Sequence, residues 1–271
     1  MLITRHSAAE AVLADPRYVP PPVRQDAEEG TLAWLRAQVS RFSTGETHAG
    51  RRRLLEERLA ALDPAELRTA ARAMTLGRGG DWRGVPTAVL GAALGVKDTS
   101  AVAAAATGYL SGEESPEADA AVAELLGQAT ITEITLLLQG HAATEALIEN
   151  ALGHAFETAP RHAFENAPGR AFEHAGPGAD PEALLHETLR QDPPLKATRR
   201  LDTRTGDEVT IDLVSANRDP DVFADPDRFD PSRGRTPHLT FGHGVRPCPG
   251  PAHALALAAG VLEALLDVSR S

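Results

Sequence analysis

The sequence predicts a mainly α-helical protein with a small β-sheet, and three observations carry that prediction. Hydrophobic residues make up 42% of the 271 residues, with an alanine- and leucine-rich character that favours helix. Leu54, Leu55, Leu59 and Leu62 recur at three- and four-residue spacing, the signature of an amphipathic helix over residues 45–62. The β-type runs, by contrast, are short: Leu2-Ile3, and Val209-Thr210-Ile211 with Leu213-Val214.

In chain order, residues 1–19 read as a short strand and a helix that stops near Asp15-Pro16. Residues 20–30 are proline-rich and acidic, hence a loop. After the helix over 45–62, Asp63-Pro64 opens another, because proline is favoured in the first helical turn. Thr130 to Leu152 is long and apolar; at ~1.5 Å per residue such a helix spans roughly 30 Å. From His154 a period-eight repeat follows: His154-Ala155-Phe156-Glu157, His162-Ala163-Phe164-Glu165 and Arg170-Ala171-Phe172-Glu173. Pro160, Pro168 and Pro177 break any continuous helix there. The units are too short for a solenoid and their spacing suits no usual chelate, so residues 154–178 read as a low-complexity connector. Pro181 to Gln191 is helical again, and Pro251 to Val268 forms a last amphipathic helix. The expected organisation is one domain over residues 1–271.

The chain holds a single cysteine, Cys248, in the run Phe241-Gly242-His243-Gly244-Val245-Arg246-Pro247-Cys248-Pro249-Gly250. Three glycines and two prolines in ten residues exclude regular structure and suit a tight loop whose amides converge on the sulfur. Arg246 and the following helix N-terminus favour negative charge there, and a thiolate is the form that binds metal.

This run resembles the haem-binding loop of cytochromes P450, whose pattern is Phe-Gly-x-Gly-x-(Arg/His)-x-Cys-x-Gly. Phe241, Gly242, Gly244, Arg246, Cys248 and Gly250 meet every fixed position. The resemblance implies a reduced P450-like fold and haem b ligated by Cys248, with Phe241, Arg246 and Gly250 around it. His48 and Arg52, on one helical face, resemble the pair that holds a haem propionate, and Arg200 a further propionate ligand, with Arg199 as an alternative. Glu187 and Arg190 resemble the Glu-x-x-Arg helix, whose buried charge network Arg228 completes. Leu13-Ala14-Asp15-Pro16-Arg17 and Ala216-Asn217-Arg218-Asp219-Pro220 follow the family as well.

The long helix resembles the one crossing the distal haem face, which carries Ala-Gly-x-(Asp/Glu)-Thr. Here the residues are Gln139-Gly140-His141-Ala142-Ala143, followed by Thr144. Gly140 leaves room for a small ligand on iron, but alanines replace the acid and alcohol that relay protons to dioxygen. Thr144 stands one position late, about 100° further round, and His141 substitutes if it faces the iron. Compared with complete family members, the chain lacks the N-terminal elements, part of the substrate-capping helices and the C-terminal hairpin.

The implied function is oxidation or rearrangement of a small or carrier-bound molecule in specialised metabolism. Without the acid and alcohol, peroxide use or a non-oxygenating reaction gains weight. A ferredoxin and its reductase follow as partners only if dioxygen is used. The alternatives are a P450-like accessory protein that stabilises a partner enzyme, and a haem-based gas sensor. A formal net charge of −11 argues against nucleic acid. One cysteine excludes an internal disulfide and fits a reducing compartment. No run approaches the ~20 apolar residues that cross a bilayer, and the N-terminus has no signal layout, so a cytoplasmic protein without membrane contact is expected.

Overall fold

The computed structural model describes residues 1–156 and 180–268. The octad repeat and the connector expected at 154–178 lie outside the described residues, apart from 154–156 at the end of a helix.

The short β runs assemble one four-stranded sheet in the order β1-β4-β3-β2. β1 (Leu2–Ile3) lies parallel to β4 (Glu208–Asp212), in register Ile3 with Ile211. β3 (Ala197–Asp202) pairs antiparallel with β4 and with β2 (Tyr18–Val19). Val209 and Ile211 are buried and Thr210 is not, so alternation directs one face to the core. That face packs on Ala9, Val12 and Leu13 of α1 (His6–Ala14) and on Leu239. The strand expected at Leu213-Val214 is instead a short helix, Leu213–Ala216. Asp212 ends the strand by accepting the Ser215 N–H with its side chain, which caps the turn.

The helices form the larger core. α2 (Leu32–Gln38) is capped by Thr31, and α3 (Gly45–Ala60) buries Leu55 and Leu59. α4 (Pro64–Gly77) starts where proline predicts, with the Asp63 side chain accepting the Ala65 N–H. α5 (Val85–Leu94), α6 (Val102–Thr107) and α7 (Pro116–Leu126) pack against α8 (Ile131–Phe156), the long central helix. α9 (Pro181–Gln191), capped by Asp180, precedes the sheet, and α11 (Pro251–Val268) closes the chain against α4, α8 and α9; α10 is Leu213–Ala216.

The α4–α11 contact depends on one small residue. A Cβ on Gly260 would fall 2.2 Å from the Arg68 carbonyl oxygen and 3.1 Å from the Ala71 Cβ. Arg68 then clamps the two helices to α9, donating to Glu263 at 2.9 and 2.5 Å and to Glu182 at 2.5 Å. Gly260→Ala is therefore expected to destabilise by about 1–3 kcal/mol despite alanine's better helix propensity, because backbone cannot retreat as a side chain can. A urea midpoint at or above that of the unmodified protein would contradict this.

Candidate functional site

The Cys248 loop is held from three sides. Asn217, fully buried, accepts the Leu239 N–H at 2.7 Å and donates to Thr240, which donates to the Leu189 carbonyl at 2.5 Å. Gly242 and Gly244 have φ of +76° and +64°, and a Cβ on Gly244 would lie 2.4 Å from the Ala14 Cα. The loop thus needs glycine both for conformation and for its approach to α1. The Cys248 N–H donates to the Phe241 carbonyl at 2.6 Å, closing the turn. Phe241 packs on the helical core, and Gly250 lies where a Cβ would meet Leu59 at 3.2 Å.

Burial pushes the Cys248 thiol up, while a Gly250 amide contact and the charges of Arg52 and Arg41 pull it down. The sequence neighbour Arg246 donates its guanidinium to the Ser43 carbonyl at 2.9 Å. Arg52 reaches the loop directly, donating to the Pro247 carbonyl at 2.6 Å and to Glu56 at 2.7 Å.

Around this loop the chain gathers positive charge from four segments. Arg200 is lowered to about 10, chiefly by burial and then by Arg41 and Arg246. Arg246 is lowered by burial and by Arg52, and His48 by burial and then by Arg246 and Arg52. Among the described residues, no carboxylate lies in ion-pair range of Arg41, Arg200 or Arg246; Glu56 is the partner of Arg52 alone. Arg199, the alternative, is turned outward onto Glu208 at 3.4 Å. Half-buried cations that depress one another without a counter-charge form a seat for an anion. Two carboxylates beside a cysteine sulfur suit this donor set, so the residues present fit haem. Arg41 was not singled out from sequence, although it stands in the Arg41-Phe42-Ser43 run next to His48.

The distal candidates are distributed otherwise than expected. Ala142 and Ala143 lie exposed on one face of α8, together with half-buried Gln139. Residues spaced i, i+3 and i+4 share a helix face. Thr144 is 3% exposed and turned into the core instead. His141 does not substitute on the open face: its Nδ1 lies 2.7 Å from the Thr87 hydroxyl of α5 and 3.7 Å from Glu145. Gly140 also faces α5, since its Cβ would meet Leu90 at 3.3 Å. Its missing side chain permits a close approach of the two helices.

The Glu187–Arg190 pair is present and fully buried, with Arg190 donating two bonds to Glu187 at 2.6 and 2.8 Å. Arg190 also donates to the carbonyls of Asn217, Pro226 and Arg228. The third member expected from sequence, Arg228, is corrected. Its side chain is 71% exposed and faces Asp230, and only its carbonyl joins the network. The side chain that reaches Glu187 is Arg233, at 3.4 Å and 16% exposed. A 3-10 turn at Pro231–Arg233, capped by Asp230, swings it inward.

His238, three residues before Phe241, is pushed down to about 4, first by burial and then by His186. Its ordinary value is about 6.5, so the unfolded chain takes up a proton before the native one does. The stability it contributes is present above pH ~6.5 and is lost as pH falls toward 4, to an upper bound of roughly 3 kcal/mol. His238→Gln should flatten the urea midpoint between pH 7 and 4.5 relative to the unmodified protein; parallel profiles would refute this.

A family model described as Cytochrome P450 matches residues 182–266, from α9 through the sheet and the Cys248 loop into α11. Over that segment the chain is similar to cytochromes P450. Among curated P450s, it is 35% identical over 142 residues to the cyclomarin C epoxidase CymV of Salinispora arenicola, covering 49% of this chain and 34% of that one. It is 36% identical over 127 residues to the erythromycin C-12 hydroxylase of Saccharopolyspora erythraea, covering 42% and 30%. The matched segments thus span about a third of these relatives' length. Among solved structures, P450BioI in complex with a hexadec-9Z-enoic acid ligated acyl carrier protein superposes with a TM-score of 0.73. That match is 21% identical and covers 99% of this chain and 84% of that one. Mycobacterium smegmatis CYP164A2 gives a TM-score of 0.69 at 25% identity, covering 99% and 83%. P450s bind haem through a cysteine ligand. Among the described residues no helix is long and apolar enough to cross a membrane.

Proposed function

We propose that this chain is a P450-type haem-thiolate oxidoreductase of specialised metabolism acting on a small or carrier-bound molecule, with Cys248 as the iron ligand. The observation that carries it is the set of cations beside the chain's single cysteine that have no counter-charge among the described residues. Arg200, Arg246 and Arg41 seat the haem carboxylates, with Arg52 and His48 alongside; an accessory role without haem would leave these charges without a purpose. When bound, the group supplies a thiolate-ligated iron, a ligation that favours O–O cleavage.

The chain's own residues define the rest. Phe241 and Leu59 wall the loop, and the Gly250 amide steadies the sulfur. On the α8 side, Ala142 and Ala143 can neither donate nor accept a proton, and Thr144 and His141 are engaged elsewhere. A reaction that brings its own protons, such as use of hydrogen peroxide, or one without oxygen insertion suits that face. A ferredoxin and reductase are needed only if dioxygen is the oxidant. A carrier-bound substrate is supported by the likeness to the acyl-carrier-protein complex of P450BioI.

The test is the reduced carbon monoxide spectrum of the haem-loaded protein, followed by turnover with peroxide against turnover with reductant and dioxygen. A thiolate-type Soret band is expected, with peroxide the better oxidant. Protein that takes up no haem sinks the reading.

A further inference from the structure

The open face of α8 carries one polar side chain where the expected acid and alcohol are missing. Gln139 precedes Ala142 and Ala143 by three and four residues and shares their face. Gly140, His141 and Thr144 point away from it, onto α5 or into the core. Gln139 is half-buried, at the border where buried Leu136 and Leu138 give way to exposed alanines.

Behind it stands Tyr109, 1% exposed, whose hydroxyl has no hydrogen-bond partner in place among the described residues. A buried hydroxyl without a partner is costly and marks a group that acts or is acted on. The Tyr109 segment is fixed by Arg36, which donates to the Tyr109 carbonyl at 2.9 Å, and its ring packs against Phe42 at 5.7 Å. Gln139 is close enough to ease ionisation of the phenol but stands outside hydrogen-bond geometry, and a turn of either terminal group closes the contact. Burial raises the phenol well above its ordinary value, so it stays protonated and is a donor. Arg41 acts on both Tyr109 and Cys248, which ties this corner to the cysteine loop.

We propose that Gln139 is the polar residue that meets a small ligand on the α8 side of the site, with Tyr109 as its positioning residue. A Tyr109 O–H given to the Gln139 carbonyl oxygen leaves both Gln139 N–H groups free to donate. Gln139 orients an oxygen-bearing ligand such as a peroxide but does not transfer a proton, because an amide does not titrate in water. The inference rests on the haem-thiolate reading above.

Carbon monoxide on the reduced, haem-loaded full chain reads the two separately, through the Soret position and the C–O stretching frequency. Gln139→Leu, close in volume, should move the stretch to higher wavenumber with the Soret band unmoved, since a donor beside the oxygen lowers the frequency. Tyr109→Phe should broaden the stretch as the amide loses its anchor. Gln139→Glu should make the stretch pH-dependent, because a carboxyl donates only when protonated, and it decides the matter if the leucine variant fails to fold. A stretch unmoved in Gln139→Leu, or pH-independent in a folded Gln139→Glu, overturns the inference while a thiolate Soret band leaves the haem reading intact. A wild-type protein without that band overturns the haem reading, and this inference with it.

Discussion

Cys248→Ser, loaded with haem and reduced under carbon monoxide, is expected to lose the thiolate-type Soret band completely. A serine hydroxyl is far too weak an acid to ionise where burial already raises a thiol. The loop itself should survive the change. Its shape comes from positive φ at Gly242 and Gly244 and from the Cys248 N–H to Phe241 bond, none of which involves the sulfur. Haem uptake should fall but persist, because Arg200, Arg246 and Arg41, the proposed seat of its carboxylates, remain. Circular dichroism and the Soret position together check this. A thiolate band retained in the serine variant would remove Cys248 from the site.

Arg190→Leu is expected to cost about 3–5 kcal/mol, the effect of stranding one charge of a buried pair. Glu187 would keep the Asp230 N–H at 2.9 Å and Arg233 at 3.4 Å, but three carbonyls, that of Asn217 buried, would lose a donor. A domain's whole stability is about 5–15 kcal/mol, so the variant should accumulate poorly. The same network ranks its arginines. Arg233→Ala should destabilise measurably, since its guanidinium meets Glu187 at 16% exposure. Arg228→Ala should stay within ~0.5 kcal/mol, its side chain being in water and its carbonyl retained. Equal midpoints for the Arg228 and Arg233 variants would undo the reassignment.

What was legible from sequence divides along physical lines. The Cys248 loop was readable because its glycines and prolines act locally: each restricts or frees its own φ, whatever packs around it. The helix starts at Pro64, Pro181 and Pro251 were readable for the same reason. Glu187 and Arg190 meet as an i, i+3 pair on one helix, so their contact needed no knowledge of the fold. Leu213-Val214 misled because apolar β-branched character carries no sign of a cap, and Asp212 supplies one.

The misplaced site residues all turn on rotation or on distant partners. His141, Gly140 and Thr144 follow from position along α8, but the close approach of α5 decides which face is open. Arg228 and Arg233 are five residues apart in a loop, and only the turn at Pro231–Arg233 selects the one that reaches Glu187. Arg41 and Arg200, far apart in sequence, acquire meaning only when folding brings them together without a counter-charge among the described residues.

By itself, then, the sequence determined the mainly helical class, the thiol loop and the Glu187–Arg190 pair, because short-range backbone and spacing rules suffice for those. The tertiary structure decided which cations surround Cys248, which arginine completes the buried network, and that Gln139 rather than His141 or Thr144 shares the open face. Those depend on helix rotation and on charges brought together across the chain, and neither is encoded in local spacing.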